Sequence, residues 1–482
     1  MRSCTNPSTP AFFHWACTYN GIVPSPICLT EDIRRIERAA GDVTPPLMER
    51  AGTAAAQLAA SLASDKSKDI LILAGPGNNG GDARIAGARL EEQYYRVGVA
   101  SRADQIPERK WGLVIDGLFG IGLARDIDGE YARMVEYANR QSCPLLALDI
   151  PSGLHSDTGR VMGSAVRATH TITFIALKPG LLTLDGPDHC GEITVADLGL
   201  EADKPRAWVA ERQLFQSALK RRPRNFHKGM AGSLAILGGA SGTTGAALLA
   251  GRAALKLGAG RVYVGMLDTA LPVDPGAPEL MLRHADDALG LDLDALVVGP
   301  GLGDSERAET LLGAALTSEL PCVLDADALN LIAESADLRR VCARRSAETL
   351  LTPHPAEAGR LLGTNTAAVQ ADRVKAARML AENLGAHVVL KGNGSIIAAR
   401  DGHWFVNRTG NPGMASAGMG DVLAGLLGAL LAQGLSGESA LVLGTHLHGA
   451  AADELVRTGT GPVGMTAGEV IDAARRVWNQ WL

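Results

Sequence analysis

The chain lacks several features that would settle its class at once. Aromatic residues make up only 4%, and the seven cysteines (Cys4, Cys17, Cys28, Cys143, Cys190, Cys322 and Cys342) contain no CxxC pair. Cysteines this scattered read as reduced thiols and offer no metal-ligand spacing. No apolar run reaches the ~20 residues of a membrane-spanning helix. The longest, 422–432, stops far short. Positive charge is not in excess either. Lys and Arg number 46 against 52 Asp and Glu, a net charge of -6, which argues against nonspecific binding of nucleic acid. Residues 1–26 have no apolar stretch behind a basic start, so no secretory signal is expected and they read as a disordered tail. The expectation is a cytoplasmic homo-oligomer that handles small molecules and uses neither membrane nor nucleic acid.

What the chain has is length and glycine. At 482 residues it exceeds one ordinary core, so two or three domains are expected. Glycine, at 57 residues, suits tight strand-to-helix turns. Short apolar runs alternate with amphipathic stretches, the pattern of parallel sheets with crossover helices and so of an α/β fold. Strands are predicted at 70–74, 113–116, 145–149 and 171–175, then at 233–237, 262–265, 295–299, 322–325 and 388–390. Helices are predicted at 422–432, 437–456 and 467–478, and another after Thr30, with Thr30 as its N-cap. Between 199 and 228 the pattern turns polar and charged. The division is therefore placed at 216–222, giving units of 27–216 and 222–482.

In the front half, ILILAGPGNNGGDARIAGARL reads as strand, Gly-rich loop, helix. The loop from Gly75 to Asp82 can set backbone N–H groups against a phosphate. Its spacing is neither the dinucleotide fingerprint nor the P-loop. A plainer alternative is a tight turn whose asparagines only tolerate unusual backbone angles. Two more strand ends carry acids: Asp116 in VIDGLFGIGLARDIDG, and Asp149 in LALDIPSGLHSDTG, where Ser152 follows. Singly, each is no more than a cap or turn former. With Asn79 they make oxygen-bearing strand ends that converge at one sheet edge, where ligands bind. Amide, carboxylate and hydroxyl oxygens together suit a hard cation.

The ordered set GPGNNGGD, D-x-LFG-x-G, LDIPSGL-x-x-DTG and KPGLLT-x-DGPDHCGEI-x-VADLGL resembles the NAD(P)H-hydrate epimerase domain over about residues 27–200. The resemblance implies a Rossmann-like three-layer sandwich. It implies a potassium ion (K+) associated with Asn79, Asp116 and Ser152. Substrate contacts are implied from Asn78, Asn79, Gly80, Gly81 and Asp82, from Gly120, Ile121, Gly122, Leu123, Ala124, Arg125 and Asp126, and from Asp149. Asp149 would shuttle the proton while C6 of the hydrated nicotinamide inverts. Where the family has Gly after NNGGD, this chain has Ala83. That costs roughly 1 kcal/mol if φ is positive there and nothing if the residue is helical.

In the rear half, GNPGMASAGMGDVLAG puts Gly418, Met419, Gly420 and Asp421 just before an apolar helix. The N–H groups of that turn can hold a transferring phosphoryl group, and Asp421 beside them can take a proton from an attacking hydroxyl. The plainer reading makes Asp421 an N-cap. HKG, GPGLG, LDADALN, TPHP, KGNGS and GNPGMASAGMGD, in that order, resemble the ribokinase-like superfamily, and more closely the ADP-dependent NAD(P)H-hydrate dehydratase, over about 226–477. This implies a ribokinase-like α/β domain. Hydrate contacts would come from Ala246, Gly301, His354 and Asp421. The AMP moiety of the co-substrate ADP would lie on Lys391, Gly392, Asn393, Gly394, Ser395 and Gly420, and Mg2+ would neutralise the diphosphate. Asp421 would be the catalytic base of the rear site, as Asp149 is the proton carrier of the front one. Ala356 stands where the family commonly has Gly. Two other readings compete. One is a small-molecule kinase, which leaves the front half unexplained. The other is a front unit that only senses nucleotides, against which Asn79, Asp116, Asp149 and Ser152 all stand.

Overall fold

The computed structural model describes residues 24–202, 204–268 and 271–482. The alternation in sequence becomes two sheets. The first contains β1 (Ile70–Ala74), β2 (Val97–Ala100), β3 (Leu113–Gly117), β4 (Leu145–Leu148), β5 (His170–Phe174) and β6 (Glu192–Ala196). Their order is β2-β1-β3-β4-β5-β6, and every neighbouring pair is parallel. The second contains β7 (Ala207–Val209), β8 (Ser233–Gly238), β9 (Arg261–Met266), β10 (Met281–His284), β11 (Ala295–Val298), β12 (Cys322–Leu324), β13 (Thr349–Leu351), β14 (His387–Leu390), β15 (Ser395–Ala398) and β16 (Trp404–Asn407). Their order is β10-β9-β8-β11-β12-β13-β14-β15-β16-β7. Only β15 runs antiparallel to its neighbours.

Parallel strands must be covered on both faces, and the side chains alternate accordingly. In the first sheet Ile70, Ile72, Leu113 and Ile115 pack under the helices Leu47–Leu62 and Asn78–Glu92. Leu71, Leu73 and Val114 pack on the opposite face under Gly129–Asn139. The result is a three-layer sandwich. In the second sheet Leu234, Ile236 and Val297 face the helices Thr244–Lys256 and Met419–Ala432. Leu237, Val298 and Leu324 face Glu306–Thr317 and Arg373–Leu384. The strand order reverses between β1 and β3 in the first sheet and between β8 and β11 in the second, whose far edge is closed by β7. Loops from neighbouring strands part there and leave a crevice at the carboxyl edge.

The predicted strands all form, each within a residue at either end. The strands without a prediction are short or lie at or near sheet edges, where alternation is weak. Three expectations change. The N-cap of the Thr30–Ala40 helix is Leu29, not Thr30. Within the turn Asp32 Oδ2 accepts from Leu29 N at 3.2 Å, and from outside it Asp157 Oδ1 accepts from Thr30 N at 2.7 Å and from Thr30 Oγ1 at 2.8 Å. The expected tail 1–26 also ends too late. Residues 1–23 lie outside the described residues, but Ser25 O accepts from Val209 N at 3.0 Å, and Pro26 bridges Trp208. The division at 216–222 comes too late as well, because β7 pairs with Trp404–Val406 of the second sheet and Phe215 is buried in the second core. The segment 207–215 escapes a sequence reading because its edge strand and its helix are too short to carry a clear period. Among the described residues no helix is long and apolar enough to cross a membrane.

This pairing predicts how the rear unit can be cut. A fragment that starts at Glu211 loses buried Ala207 and Val209, worth about 2–3 kcal/mol. It should melt roughly 4–10 °C below one that starts at Lys204. Equal melting temperatures in a calorimetric scan would show that β7 belongs to the front unit.

Candidate active sites

The front site lies at the reversal between β1 and β3. The NNGGD segment is not a loop but the first turn of the Asn78–Glu92 helix, with Gly77 as N-cap. The loop is only Gly75 to Gly77. Gly80 lets the helix start against the strand end, since a Cβ there would stand 1.9 Å from Gly75 O. Ala83 is helical and fully buried, so its methyl group causes no backbone strain. It is accommodated by Gly117, where a Cβ would stand 2.4 Å from that methyl.

A cleft of about 530 Å³ opens there, lined by Asn78, Asn79, Asp82, Gly120, Ile121, Gly122, Leu123 and Asp149. Gly80, Gly81, Ala124, Arg125 and Asp126 do not line it. Arg34, Glu37 and Ile175 do, although nothing in their local sequence marks them. Asp149 has φ 66 and Ile175 φ 69, left-handed values costly for side chains with a Cβ and typical of sites held by their surroundings. Asp149 is held by Lys178, a fully buried lysine whose Nζ lies 2.5 Å from Asp149 Oδ1. The same ammonium donates to Thr173 Oγ1 and to Phe174 O, both at 2.8 Å. Lys178 carried no assignment in the sequence reading, though it sits in the KPGLLT motif. Asp82 is pushed up to about 8 by burial and by the neighbouring Asp149 and Glu37. At neutral pH it can therefore donate a hydrogen bond.

Beneath the cleft, Asp116 and Ser152 form one unit. Ser152 Oγ donates to Asp116 Oδ1 at 2.7 Å, and Ser152 N donates to Oδ2 at 2.8 Å. Burial pushes Asp116 up to about 6 against the pull of these bonds. Asn79 is buried, yet neither its Oδ1 nor its Nδ2 has a hydrogen-bond partner. An unpaired buried amide is costly, and the oxygen is free to ligate a cation.

The rear site lies at the carboxyl ends of β8, β11, β12 and β14. Gly301, in a left-handed turn with φ 61, packs on the Thr243 turn and accepts Thr243 Oγ1 at 3.1 Å. That turn leads into the helix carrying Ala246. Asp421 stands in the first turn of Met419–Ala432, whose N-cap is Gly418. Its side chain does not cap the helix, and burial followed by Asp325 pushes it up to about 6. Lys391 Nζ pairs with Asp325 Oδ1 at 2.9 Å. A Cβ on Gly420 would stand 3.2 Å from that Nζ, so glycine makes room for the lysine. Burial works against the Lys391 charge, but Asp325 and Glu357 outweigh it and raise its pKa. Asp325 is a missed residue. It sits in LDADALN before Ala326, whose φ of 50 marks the strained turn. His354 is the N-cap of Pro355–Leu362 and accepts from Ala356 N at 3.1 Å. It is half-exposed, and burial, then Lys391, lowers its pKa.

Two α/β units, each with charged groups gathered at the carboxyl ends of its strands, define a fused enzyme of the nucleotide-handling class. Residues 234–476 match the NAD(P)H-hydrate dehydratase family. Residues 45–111 and 101–180 match the YjeF-related protein N-terminus family. The chain is 39% identical over 500 residues to the bifunctional NAD(P)H-hydrate repair enzyme Nnr of Escherichia coli K12, covering 95% of both. It is 46% identical to the ADP-dependent (S)-NAD(P)H-hydrate dehydratase of Neisseria meningitidis, covering 56% of this chain and 95% of that one. The rear unit resembles the crystal structure of the ADP/ATP-dependent NAD(P)H-hydrate dehydratase of Bacillus subtilis with ATP and Mg2+. There the TM-score is 0.51 and the identity 30%, over 57% of this chain and 98% of that one. The chain belongs to the bifunctional NAD(P)H-hydrate repair enzymes.

Lys178 yields a stability test. Lys178→Met strands the Asp149 carboxylate, and removing one partner of a buried pair costs about 3–5 kcal/mol. Adding Asp149→Asn should return at least half of that in a double-mutant cycle read by urea unfolding. A single substitution that leaves the transition unmoved would mean the pair contributes nothing to the fold.

Proposed function

We infer that this chain repairs hydrated NADH and NADPH in two steps. The front unit interconverts the R and S forms at C6. The rear unit dehydrates the S form to NADH or NADPH and converts ADP to AMP and phosphate. The observation that carries the rear reaction is Asp421, partly buried and uncapped at a helix N-terminus beside the Lys391–Asp325 pair. Support for the nucleotide comes from the relative described as ADP-dependent and the neighbour described as ADP/ATP-dependent.

In the rear unit Asp421 takes the proton of the C6 hydroxyl, whose oxygen attacks the β-phosphoryl group of ADP and releases AMP. The N–H groups of the Met419 turn stabilise the charge on the transferring group. The phosphate ester then leaves under push from the ring nitrogen, and loss of the C5 proton restores the C5–C6 double bond. Residues 391–395 and Gly420 seat the AMP moiety, while Ala246, Gly301 and His354 face the hydrate. The acids around Asp421 suit Mg2+, which neutralises diphosphate charge when bound.

In the front unit Asp149, fixed by Lys178, carries the proton as C6 opens and recloses. Asn78, Asn79, Asp82 and Gly120 to Leu123, which line the cleft, hold the substrate. The orphaned Asn79 amide, together with Asp116 and Ser152, would hold a K+ ion, whose charge would help to orient the site. The units act in series because a stereospecific dehydratase strands the other epimer.

Asp421→Asn should lower dehydration by about 10²–10⁴-fold with ADP binding kept. A rate within a few-fold of wild type would make Asp421 structural. The pH profile is a finer test. A base works only when ionised, so dehydration should rise as pH climbs through about 6. Asp325→Asn removes a negative neighbour and frees the Lys391 charge, so this limb should move to lower pH. A limb that stays in place would assign it to another group.

The front unit is tested with a mixture of epimers followed by NMR. Asp149→Ala in the full chain should consume the S form at the normal rate and then stall, apart from slow spontaneous exchange. Complete consumption of both forms at equal rates would remove the front unit from the pathway.

A further inference from the structure

We propose that Thr183 of the front unit is a positioning residue for the nucleotide loop 391–395 of the rear unit, so that the dehydratase site is completed by the epimerase unit. This rests on reading that loop as the seat of the AMP moiety. Thr183 has no exposed surface. Its Oγ1 lies 2.9 Å from the carbonyl oxygens of both Asn393 and Gly394, and its single proton serves one of them at a time. The backbone closes the joint on either side. Leu184 N donates to Asn393 O at 3.1 Å, and Asn393 Nδ2 donates to Leu184 O at 2.7 Å. Gly394 has φ 61, and a Cβ there would stand 2.0 Å from Leu182 O. The loop thus takes its shape against front-unit backbone, not against solvent.

Behind the joint lies Arg373, a guanidinium only 2% exposed. Its Nε donates to Thr183 Oγ1 at 3.2 Å, its Nη1 to Gln370 Oε1 at 2.9 Å and its Nη2 to Leu390 O at 3.3 Å. All three acceptors are neutral, and among the described residues no carboxylate pairs with it. Burial alone pushes it down to about 10. A Cβ on Gly392 would stand 2.6 Å from its Nη1, so an uncompensated cation sits directly under the loop. That charge favours an anionic ligand above it. Thr183 therefore accepts from the buried cation and donates to the loop carbonyls, joining the two. The Neisseria relative spans only 56% of this chain, too little to hold both units. The threonine contact belongs to the fused arrangement.

The test uses the full chain with Mg2+ and ADP. Thr183→Val keeps the volume and removes the donor, while Thr183→Ser keeps the hydroxyl. In calorimetric titration Val should weaken ADP binding about 5- to 10-fold, the cost of one buried hydrogen bond, with Ser within about 2-fold of wild type. Packing alone would rank the two the other way, because Ser deletes a buried methyl group and Val does not, so a folded Val variant with wild-type affinity overturns the proposal. Hydrogen exchange on the wild-type chain supplies a second reading that needs no variant. ADP should slow exchange in peptides covering both 391–395 and 181–186. Protection of 391–395 with none at 181–186 overturns the role of Thr183 alone. Absence of protection at 391–395 overturns the reading of that loop and the proposal with it.

Discussion

Carboxylates collected at the ends of parallel strands repel one another and resist burial, so such a site can exist only where something offsets their charge. In this chain a lysine does so in each unit. Lys178 pairs with Asp149 at 2.5 Å and Lys391 with Asp325 at 2.9 Å. Each lysine lies one strand beyond the acid's own strand or further, so each pair also ties different loops of its sheet edge together. The remaining acids respond to what is left of the field. Asp82 is pushed up to about 8 and Asp421 to about 6, so each crevice holds a firmly paired carboxylate beside others that keep their protons more tightly. That division suits proton transfer near neutrality.

The same lysine in the front unit opens the segment that reaches the rear unit. From Lys178 the chain runs through the turn Pro179–Leu181 to Thr183 and Leu184, which meet the 391–395 loop. The seam is also apolar. Ile150, Leu154, Leu177, Leu181 and Leu182 join one continuous buried cluster with Val388, Leu390 and Ile396 of the second sheet. The connection is reinforced at the far edge, where Ser25 and Pro26 pair with β7. The units are thus joined by packing, by an edge strand and by the Thr183 hydrogen bonds, not by a loose linker.

The sequence made much of this legible. Central strands such as Ile70–Ala74 and Ser233–Gly238 are continuous apolar runs because both of their faces are covered, and such runs stand out. The glycine clusters after them mark where backbones must approach closely. The short or edge strands did not stand out. Val97–Ala100 is partly exposed and Ala207–Val209 is only three residues long, so neither carries a clear period. The site was read unevenly for a related reason. Asn79, Asp116, Asp149, Ser152 and Asp421 lie in glycine-rich strand-end motifs. Glu37 and Arg34 lie on an ordinary amphipathic helix, and only its docking places them in the cleft.

By itself, then, the sequence determined the fold class, the strand-end positions of the principal acids and membership of a family, because periodicity and glycine placement are local and one-dimensional. Tertiary structure decided what long-range contact alone can decide. It gave the Thr30 amide at the start of the first helix its acceptor in Asp157, more than a hundred residues away, and made Ala83 harmless by setting it against Gly117. It gave Lys178 and Lys391 their carboxylates and assigned β7 to the second sheet. It also turned Gly394 into a joint between two units. Each of these depends on which distant atoms share a small volume, and a hydrogen bond or a buried charge responds to that neighbourhood, not to its place along the chain.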